Sequence, residues 1–253
     1  MLEDWSHDPY YGEPLDKLLR FFTQLMRNIL VTAVLALLVS FTATTSHAAP
    51  QPKGPNPEVL NLALKAIACG VASGDLQAPP TLTLIDYSLP STTPRLWVFD
   101  LHTGTILFNE LVAHGRNTGD NVAVHFSDAP ESRESSIGLF RTADAYVGHN
   151  GYSLRLDGLE PGFNGNARDR AIVIHGAQYV NAEVANANGR LGRSWGCPAL
   201  NEAVAHKVID TVRGGGVIFS YYPDQAWLKK SKFLNCPAPA KPEVVLATVV
   251  ATN

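Results

Sequence analysis

The residue with the clearest chemistry in this sequence is a lone cysteine in a short glycine-containing turn. Cys197 follows Gly196 within the segment 193–198. Upstream, His175 ends an apolar run and is followed by Gly176. A thiol attacks a carbonyl carbon as its thiolate, and a neighbouring imidazole is the usual base that generates the thiolate near neutral pH. We predict that Cys197 is a nucleophile and His175 its base. The alternatives are a packed core thiol and a histidine satisfied at a strand end.

The turn around the cysteine suits stabilisation of a developing oxyanion. Gly196 lets the backbone approach a substrate closely, and Ser194 can hydrogen-bond within the turn. Because Pro198 has no N–H, the donors would be the backbone N–H groups of Trp195, Gly196 and Cys197. A helix is predicted a few residues later, and the dipole at its N-terminus would favour the thiolate.

Other histidines could compete for the role of base: His102, His114, His125, His149 and His206. The strongest competitor is His114, which precedes a glycine in a long polar loop. A zinc peptidase would need clustered ligands, and His114, Asp120 and His125 could supply three, although their spacing matches no metal signature. A sortase-like enzyme would need a later arginine, for which Arg213 is the candidate. No cofactor is predicted.

The N-terminal region predicts export. Residues 29–43 form an apolar run, too short for a stable membrane anchor, and small residues at Ser46 and Ala48 fit a signal-peptidase site. We interpret residues 1–48 as a leader and signal peptide. Met26 is a plausible start, so residues 1–25 are either a wrongly extended start or an unusual leader. The alternative is an uncleaved anchor, the one expected membrane contact. Both interpretations place the protein in the periplasm or cell envelope.

Composition and cysteine count limit the domain organisation and the class of partner. The chain has 253 residues, a net charge of −3 and 45% hydrophobic residues, which predicts one globular domain and no nucleic-acid binding. In an oxidising compartment, a reactive Cys197 leaves Cys69 and Cys236 either to pair or to pack as two buried thiols. We expect a Pro-rich linker over 49–58, a single domain over 59–236 and a flexible tail over 237–253; the oligomeric state is open.

The pattern of apolar residues predicts a mainly β domain with peripheral helices, arranged as a sandwich or barrel. Strands are predicted at 82–87, 95–100, 105–108, 111–113, 137–141, 152–156, 170–175 and 216–221. Helices are predicted over 58–68, ended by Gly70, and over 201–212, capped by Asn201 and ended by Gly214, with helical turns at 179–188 and 226–230. No long helix separates the first strands, which favours antiparallel pairing.

These segments resemble the murein L,D-transpeptidases, exported cysteine enzymes that act on peptidoglycan stem peptides. The family signature is a histidine and a glycine, a variable stretch and a Ser/Thr-x-Gly-Cys turn. Here it stands as His175-Gly176, 17 residues, and Ser194-Trp195-Gly196-Cys197. Further similar segments, in order along residues 82–230, are Ile85–Ser91, Ala113–Arg116, Ser135–Phe140 and Tyr152–Leu156. Two departures are Trp195, where many members have histidine, and Pro198-Ala199 after the cysteine.

The resemblance implies an L,D-transpeptidase-like β-sandwich or barrel and a two-step acyl transfer. Cys197 would attack the carbonyl of the residue, typically meso-diaminopimelate, that precedes D-Ala in a tetrapeptide stem, and His175 would move the protons. In the family a backbone carbonyl commonly orients this histidine, and Gly176 is the nearest candidate. An amine acceptor gives a cross-link, and water gives a carboxypeptidase. Family enzymes usually form a covalent carbapenem adduct at the cysteine.

Two points stay open from the sequence. Arg193, Arg116 and His114 are candidates for holding the substrate, because arginine pairs well with carboxylates, and the alternative is that the arginines are simply solvated. A non-catalytic wall-binding protein on the same fold is the alternative to an enzyme. It would keep its function after Cys197→Ala.

Overall fold

The computed structural model describes residues 20, 23–24 and 54–237. The predicted signal peptide therefore lies outside the described residues, as do the first part of the linker and the tail beyond Pro237. Over the described range, none of the helices has both the length and the apolar character that crossing a bilayer requires.

Nine strands form one mixed sheet in the described part of the chain. They are β1 (Thr81–Asp86), β2 (Leu96–Asp100), β3 (Ile106–Glu110), β4 (Val112–Ala113), β5 (Gly138–Gly148), β6 (Gly151–Gly158), β7 (Val173–Gly176), β8 (Ala199–Leu200) and β9 (Val217–Tyr221). Their spatial order is β3-β2-β1-β9-β5-β6-β7-β8-β4. Only Leu111 separates the two edge strands along the chain, so the sheet curls until its edges adjoin.

Four helices of the described residues lie at the periphery: α1 (Pro57–Ala72), α2 (Ala182–Asn188), α3 (Glu202–Val212) and α4 (Gln225–Lys230). Each begins at an Asn or Asp whose side chain accepts a hydrogen bond from a backbone N–H of the first turn. The expected cap Asn201 begins α3 in this way. The predicted mainly β fold with peripheral helices is confirmed.

The predicted end of the first helix at Gly70 is wrong. The helix continues through Gly70 to Ala72. A Cβ at Gly70 would lie 2.8 Å from Cδ1 of Leu76 and 3.4 Å from the Phe233 ring. The glycine therefore permits close packing inside the helix, and it is not a C-terminal cap.

The expectation of antiparallel pairing holds for most neighbours but fails at two places. β1 pairs with β9 in parallel, and β7 pairs with β8 in parallel. Both pairs join segments that are distant in the sequence. The sheet is therefore mixed, and the second parallel pair positions the residues with the chemistry.

The short strand β8 was not predicted, most other strand ends lie within two residues of their predicted positions, and two strands depart further. β5 runs on from Arg141 to Gly148, because its second half forms a hairpin with β6. β7 begins only at Val173, since Ala171 adopts φ 52°, which breaks the strand. Residue 170 consequently belongs to a turn, and its side chain is directed into the site described below.

The sheet is buried on both sides. Leu82 and Leu84 of β1 belong to an apolar cluster that includes α1, whereas Ile85 belongs to a second cluster that includes α3. Cys197 lies in the second cluster. The cysteine is therefore at the edge of the core.

A disulfide joins Cys69 on α1 to Cys236 near the end of the described chain, 167 positions apart. Cys197 is the free cysteine. The disulfide thus ties the first helix of the domain to its last described segment.

Candidate active site

Parallel pairing of β7 with β8 brings His175 and Cys197 to the same region. His175 lies opposite Ala199 in the register, two residues after Cys197. The Cys197 Sγ accepts a hydrogen bond at 3.5 Å from the N–H of Val173, two residues before His175. Cys197 thus lies in the turn two residues before β8 and contacts the start of β7, whereas His175 lies within β7, two residues further along. No contact among the described residues joins them directly, and the thiol donates instead to the Ala171 carbonyl at 3.7 Å.

Ser194 closes the cysteine turn from within. Its Oγ donates to the Cys197 carbonyl at 2.6 Å and accepts the Gly196 N–H at 3.1 Å. The Gly196 N–H is therefore occupied, contrary to its expected place among the oxyanion donors. The N–H groups of Trp195 and Cys197 donate to no other residue among the described contacts, so they are the two that a ligand could use.

Gly196 is required by both its conformation and its surroundings. Its φ is 124°, in the region that favours glycine. A Cβ there would lie 2.8 Å from the Glu134 carbonyl oxygen and 3.0 Å from Cδ1 of Ile172. The Gly196 carbonyl accepts a hydrogen bond at 3.1 Å from the buried Ser135 Oγ, which in turn accepts the Gly115 N–H at 3.0 Å. The turn is thus fixed against two neighbouring segments.

His175 is held in one tautomer. Its Nδ1 lies 2.8 Å from the Gly176 carbonyl oxygen. A carbonyl can only accept, so Nδ1 carries the hydrogen and Nε2 of the neutral ring carries the lone pair. Burial lowers the pKa of His175, and the hydrogen bond to Gly176 opposes that effect only in part. The ring is therefore a neutral base near pH 7.

The Cys197 thiol is protonated at rest. Burial raises its pKa, while the Val173 N–H and the Arg170 guanidinium act to lower it. The predicted influence of a helix dipole is replaced by these contacts, because β8 and Asn201 intervene before α3 begins. A neutral thiol beside a neutral imidazole needs proton transfer at the moment of attack.

His114, the competing histidine, is enclosed by the protein. Arg95, which can only donate, reaches its Nδ1 at 2.8 Å, so Nε2 carries the hydrogen and donates to the Gly119 carbonyl at 3.3 Å. The side chain is 1% exposed, and burial with the nearby Arg95 charge lowers its pKa to about 4. Both nitrogens are used internally, so the ring anchors its loop and faces no ligand. This geometry does not favour the role of a substrate contact that the sequence suggested for His114.

The two arginine candidates have different surroundings. The Arg193 guanidinium donates to the Asp120 carboxylate at 2.8 Å and to the Gly119 carbonyl at 3.0 Å, so it braces the loop. Arg116 is exposed, and its backbone N–H donates to the Ser194 carbonyl at 2.8 Å. Of the two, only the Arg116 side chain is without a partner among the described contacts.

Sequence reasoning missed Arg170. Its side chain is 3% exposed, lies 4.0 Å from the Asp128 carboxylate, and donates to the Glu134 carbonyl at 2.7 Å. It also donates to the Ser127 carbonyl and the Ser136 hydroxyl. The guanidinium therefore ties residue 170 to the 127–136 loop, and it lies beside the cysteine turn, where a Cβ at Gly196 would be 3.3 Å from its Nη2. No local pattern marks this residue, because all its partners are remote in the chain.

The structure does not favour the sortase-like or the zinc-peptidase alternative, because the residues that each would need have other surroundings. Arg213 ends α3 and pairs with Asp210 at 3.2 Å on the surface, which leaves a sortase-like site without its arginine. Across residues 20, 23–24 and 54–237, no three His, Cys, Asp or Glu side chains are placed to hold a metal ion. The internal role of His114 removes the central ligand of the zinc alternative.

Comparisons with known proteins bear on the whole domain. A family model described as the L,D-transpeptidase catalytic domain matches residues 51–221. Solved structures that match the chain include an L,D-transpeptidase from Mycobacterium smegmatis, with 14% identity over 56% of this chain and 59% of that one, at a TM-score of 0.36. L,D-transpeptidase 1 of Mycobacterium tuberculosis matches with 16% identity over 56% and 62%, at a TM-score of 0.32. An LD transpeptidase in complex with imipenem matches with 17% identity over 55% and 58%, at 0.35.

The chain therefore spans less than two thirds of the length of these solved proteins. The curated proteins contain no match to the sequence.

Proposed function

Since this chain belongs to the L,D-transpeptidase catalytic domain family, we propose that it is an acyltransferase acting on peptidoglycan stem peptides. The observation that supports this most is the tautomer of His175. Its Nδ1 donates to Gly176, which directs the basic Nε2 away from that carbonyl and leaves it available to the one free thiol of the described chain. Cys197 is the proposed nucleophile and His175 the proposed base.

The first half-reaction forms a thioester. Nε2 of His175 takes the thiol proton while Sγ of Cys197 bonds to the carbonyl carbon that precedes D-Ala. The oxyanion that develops would accept from the N–H groups of Trp195 and Cys197. When the intermediate collapses, the C–N bond breaks and the imidazolium returns its proton to the D-Ala amine.

The second half-reaction returns the free thiol. An amine of a second stem attacks the thioester carbon, the C–S bond breaks, and the proton from the amine passes through His175 to sulfur. Arg116 is the proposed partner for a substrate carboxylate, because its guanidinium is exposed beside the turn. If water attacks instead, the same residues make an L,D-carboxypeptidase.

We also propose that the protein is exported to the periplasm or cell envelope. The apolar run, the small residues at 46 and 48, and the disulfide between Cys69 and Cys236 support this, since disulfides persist mainly in oxidising compartments. A fusion of residues 1–48 to a reporter that is active only outside the cytoplasm tests it. A fusion that is produced but stays inactive in the cytoplasm would contradict it.

The test of the activity uses the purified protein and its Cys197→Ala variant with a disaccharide-tetrapeptide, followed by mass spectrometry. We expect loss of D-Ala and formation of cross-linked dimers with the unmodified protein only. Loss of D-Ala without dimers would identify the carboxypeptidase. If neither protein changes the substrate but both bind it equally, a non-catalytic wall-binding role replaces the proposal.

A further inference from the structure

A large aromatic side chain stands exposed next to the proposed nucleophile. Trp195 is 69% exposed, although it lies two residues before the buried Cys197. The guanidinium carbon of Arg133 lies 4.7 Å from the centre of its ring, within the range of a cation–π contact. The two side chains therefore form a flat surface at the edge of the cysteine turn.

This surface borders a cleft of about 670 Å³ whose walls also carry Glu131 and Asp169. The wall that carries Arg133 is fixed. Asn117 donates its backbone N–H to the Arg133 carbonyl at 3.2 Å and its side-chain amide to the Ser132 carbonyl at 2.8 Å. The cleft is therefore built on a held loop.

The backbone of the same wall is in an unusual conformation. Glu131 and Arg133 each adopt φ 55°, which residues other than glycine rarely do. Such conformations persist only where the surroundings impose them, and they concentrate at ligand-binding and active sites. Here the imposed conformation places both side chains at the cleft.

The charges of the cleft are available to a ligand. Arg133, Glu131 and Asp169 are exposed, and none of them has an ion-pair partner among the described contacts. Arg170 also reaches the cleft, but its hydrogen bonds are made within the protein. Among the described residues, the cleft thus presents an aromatic face, one guanidinium that stacks on it, and two carboxylates, and none of these three charges has an ion-pair partner. Its complement is a group that carries a carboxylate and an ammonium close together.

We propose that this cleft is a subsite for a peptide side chain that ends in a zwitterion. Arg133 holds the carboxylate of that side chain, and Glu131 and Asp169 hold its ammonium. The aliphatic part of that group lies against the Trp195 ring. The inference rests on the proposed function, because it takes the peptide to be a stem peptide whose neighbouring carbonyl faces Cys197. It makes Arg133 and Trp195 determinants of specificity.

Binding to a protein that cannot turn over tests the subsite. Calorimetry would compare the Cys197→Ala protein with the same protein carrying Arg133→Ala. The probes are a disaccharide-tetrapeptide with a free side-chain carboxylate and ammonium, and the same compound with that carboxylate amidated. We expect Arg133→Ala to weaken binding of the free carboxylate at least tenfold and to leave the affinity for the amide within twofold.

The matched control is Arg141→Ala, which removes another exposed arginine outside the cleft. It should bind both probes as the parent does, and Arg133→Lys should restore part of the lost affinity. Equal affinity of the Arg133→Ala and parent proteins for the free carboxylate would overturn the subsite. Binding that depends on Arg133, without turnover by the unmodified enzyme, would instead refute the proposed function and leave the subsite standing.

Discussion

At the residue scale, the proposed nucleophile and base share one feature, which is that both are neutral at rest. Burial raises the pKa of Cys197 and lowers that of His175. Each shift disfavours the charged form of the group, as expected where solvent is excluded. The pair is thus held as thiol and imidazole, and the charges appear only when a carbonyl is attacked.

The raised thiol pKa predicts slow alkylation at neutral pH. Because a smaller fraction of Cys197 is thiolate at pH 7 than in a free cysteine of pKa about 8.5, its reaction with iodoacetamide should reach half its limiting rate only above that pH. Rates from pH 6 to 10, read by mass spectrometry against N-acetylcysteine, provide the measurement. A midpoint at or below that of the free thiol would contradict the raised pKa.

Gly196→Ala should lower both the free energy of unfolding and the rate of acyl transfer. The substitution combines a left-handed φ of 124° with a contact of 2.8 Å to the Glu134 carbonyl. Strain of this kind costs about 1–3 kcal/mol, and the contact adds to it. Gly214→Ala is the control, since Gly214 has φ 85° with nothing within 4 Å. Urea unfolding should show a larger loss of unfolding free energy for Gly196→Ala than for Gly214→Ala. Equal losses would show that the contact with the Glu134 carbonyl is relieved without an energetic penalty.

The sequence marks Cys197 and His175 as candidates, but the structural reason for preferring His175 to His114 as the base could not be read from it. The choice depends on hydrogen-bond partners that the fold brings from elsewhere. Arg95 fixes one tautomer of His114, and the Gly176 carbonyl fixes the other tautomer of His175. Local patterns do not record such partners.

At the scale of elements, the cysteine turn is held by segments that precede it in the chain. Ser135 joins Gly115 to Gly196, and Arg170 holds the 127–136 loop from a position beside the same turn. The long polar loop between β4 and β5 therefore supports the site. Its sequence indicates only a long polar loop, and the hydrogen bonds show that it is ordered.

Ser135→Ala is expected to loosen this support. It leaves the buried N–H of Gly115 without its acceptor, which costs about 1–3 kcal/mol, and frees the Gly196 carbonyl. Thr142→Val is a matched control, because it removes hydrogen bonds to Val212 and Gly216 outside the site. Both variants should lose stability in urea. Only Ser135→Ala should slow acylation of Cys197 by a carbapenem, and equal acylation rates would contradict the role of Ser135.

Strand positions were predicted well where apolar residues alternate, and less well where pairing alone makes the strand. The second half of β5 carries Asp144 and other exposed side chains, and it is a strand because β6 lies beside it. The parallel pairs β1–β9 and β7–β8 join remote segments, so sequence spacing could not reveal them. Tertiary contact, and not propensity, decides these cases.

At the scale of the whole molecule, the disulfide closes nearly the entire described domain. Its two cysteines are 167 positions apart, and the chain-entropy model gives about 5 kcal/mol for a loop of that length. Replacing both Cys69 and Cys236 with serine should therefore lower the free energy of unfolding by several kcal/mol. Urea unfolding with and without a reductant measures it, and a reductant should leave the double variant unaffected. Unchanged stability would show that the entropic estimate does not apply.

The position of β9 has a consequence for how the chain acquires its structure. β9 lies between β1 and β5, so without it the sheet would fall into two separate pieces. Domains whose strands pair across long sequence separations fold slowly, and incomplete ones expose unpaired strand edges. A nascent chain in which Val217–Tyr221 has not yet been synthesised therefore has two partial sheets with unpaired edges and no complete domain. Until that strand arrives, the facing edges of β1 and β5 are unpaired and can associate with other strands.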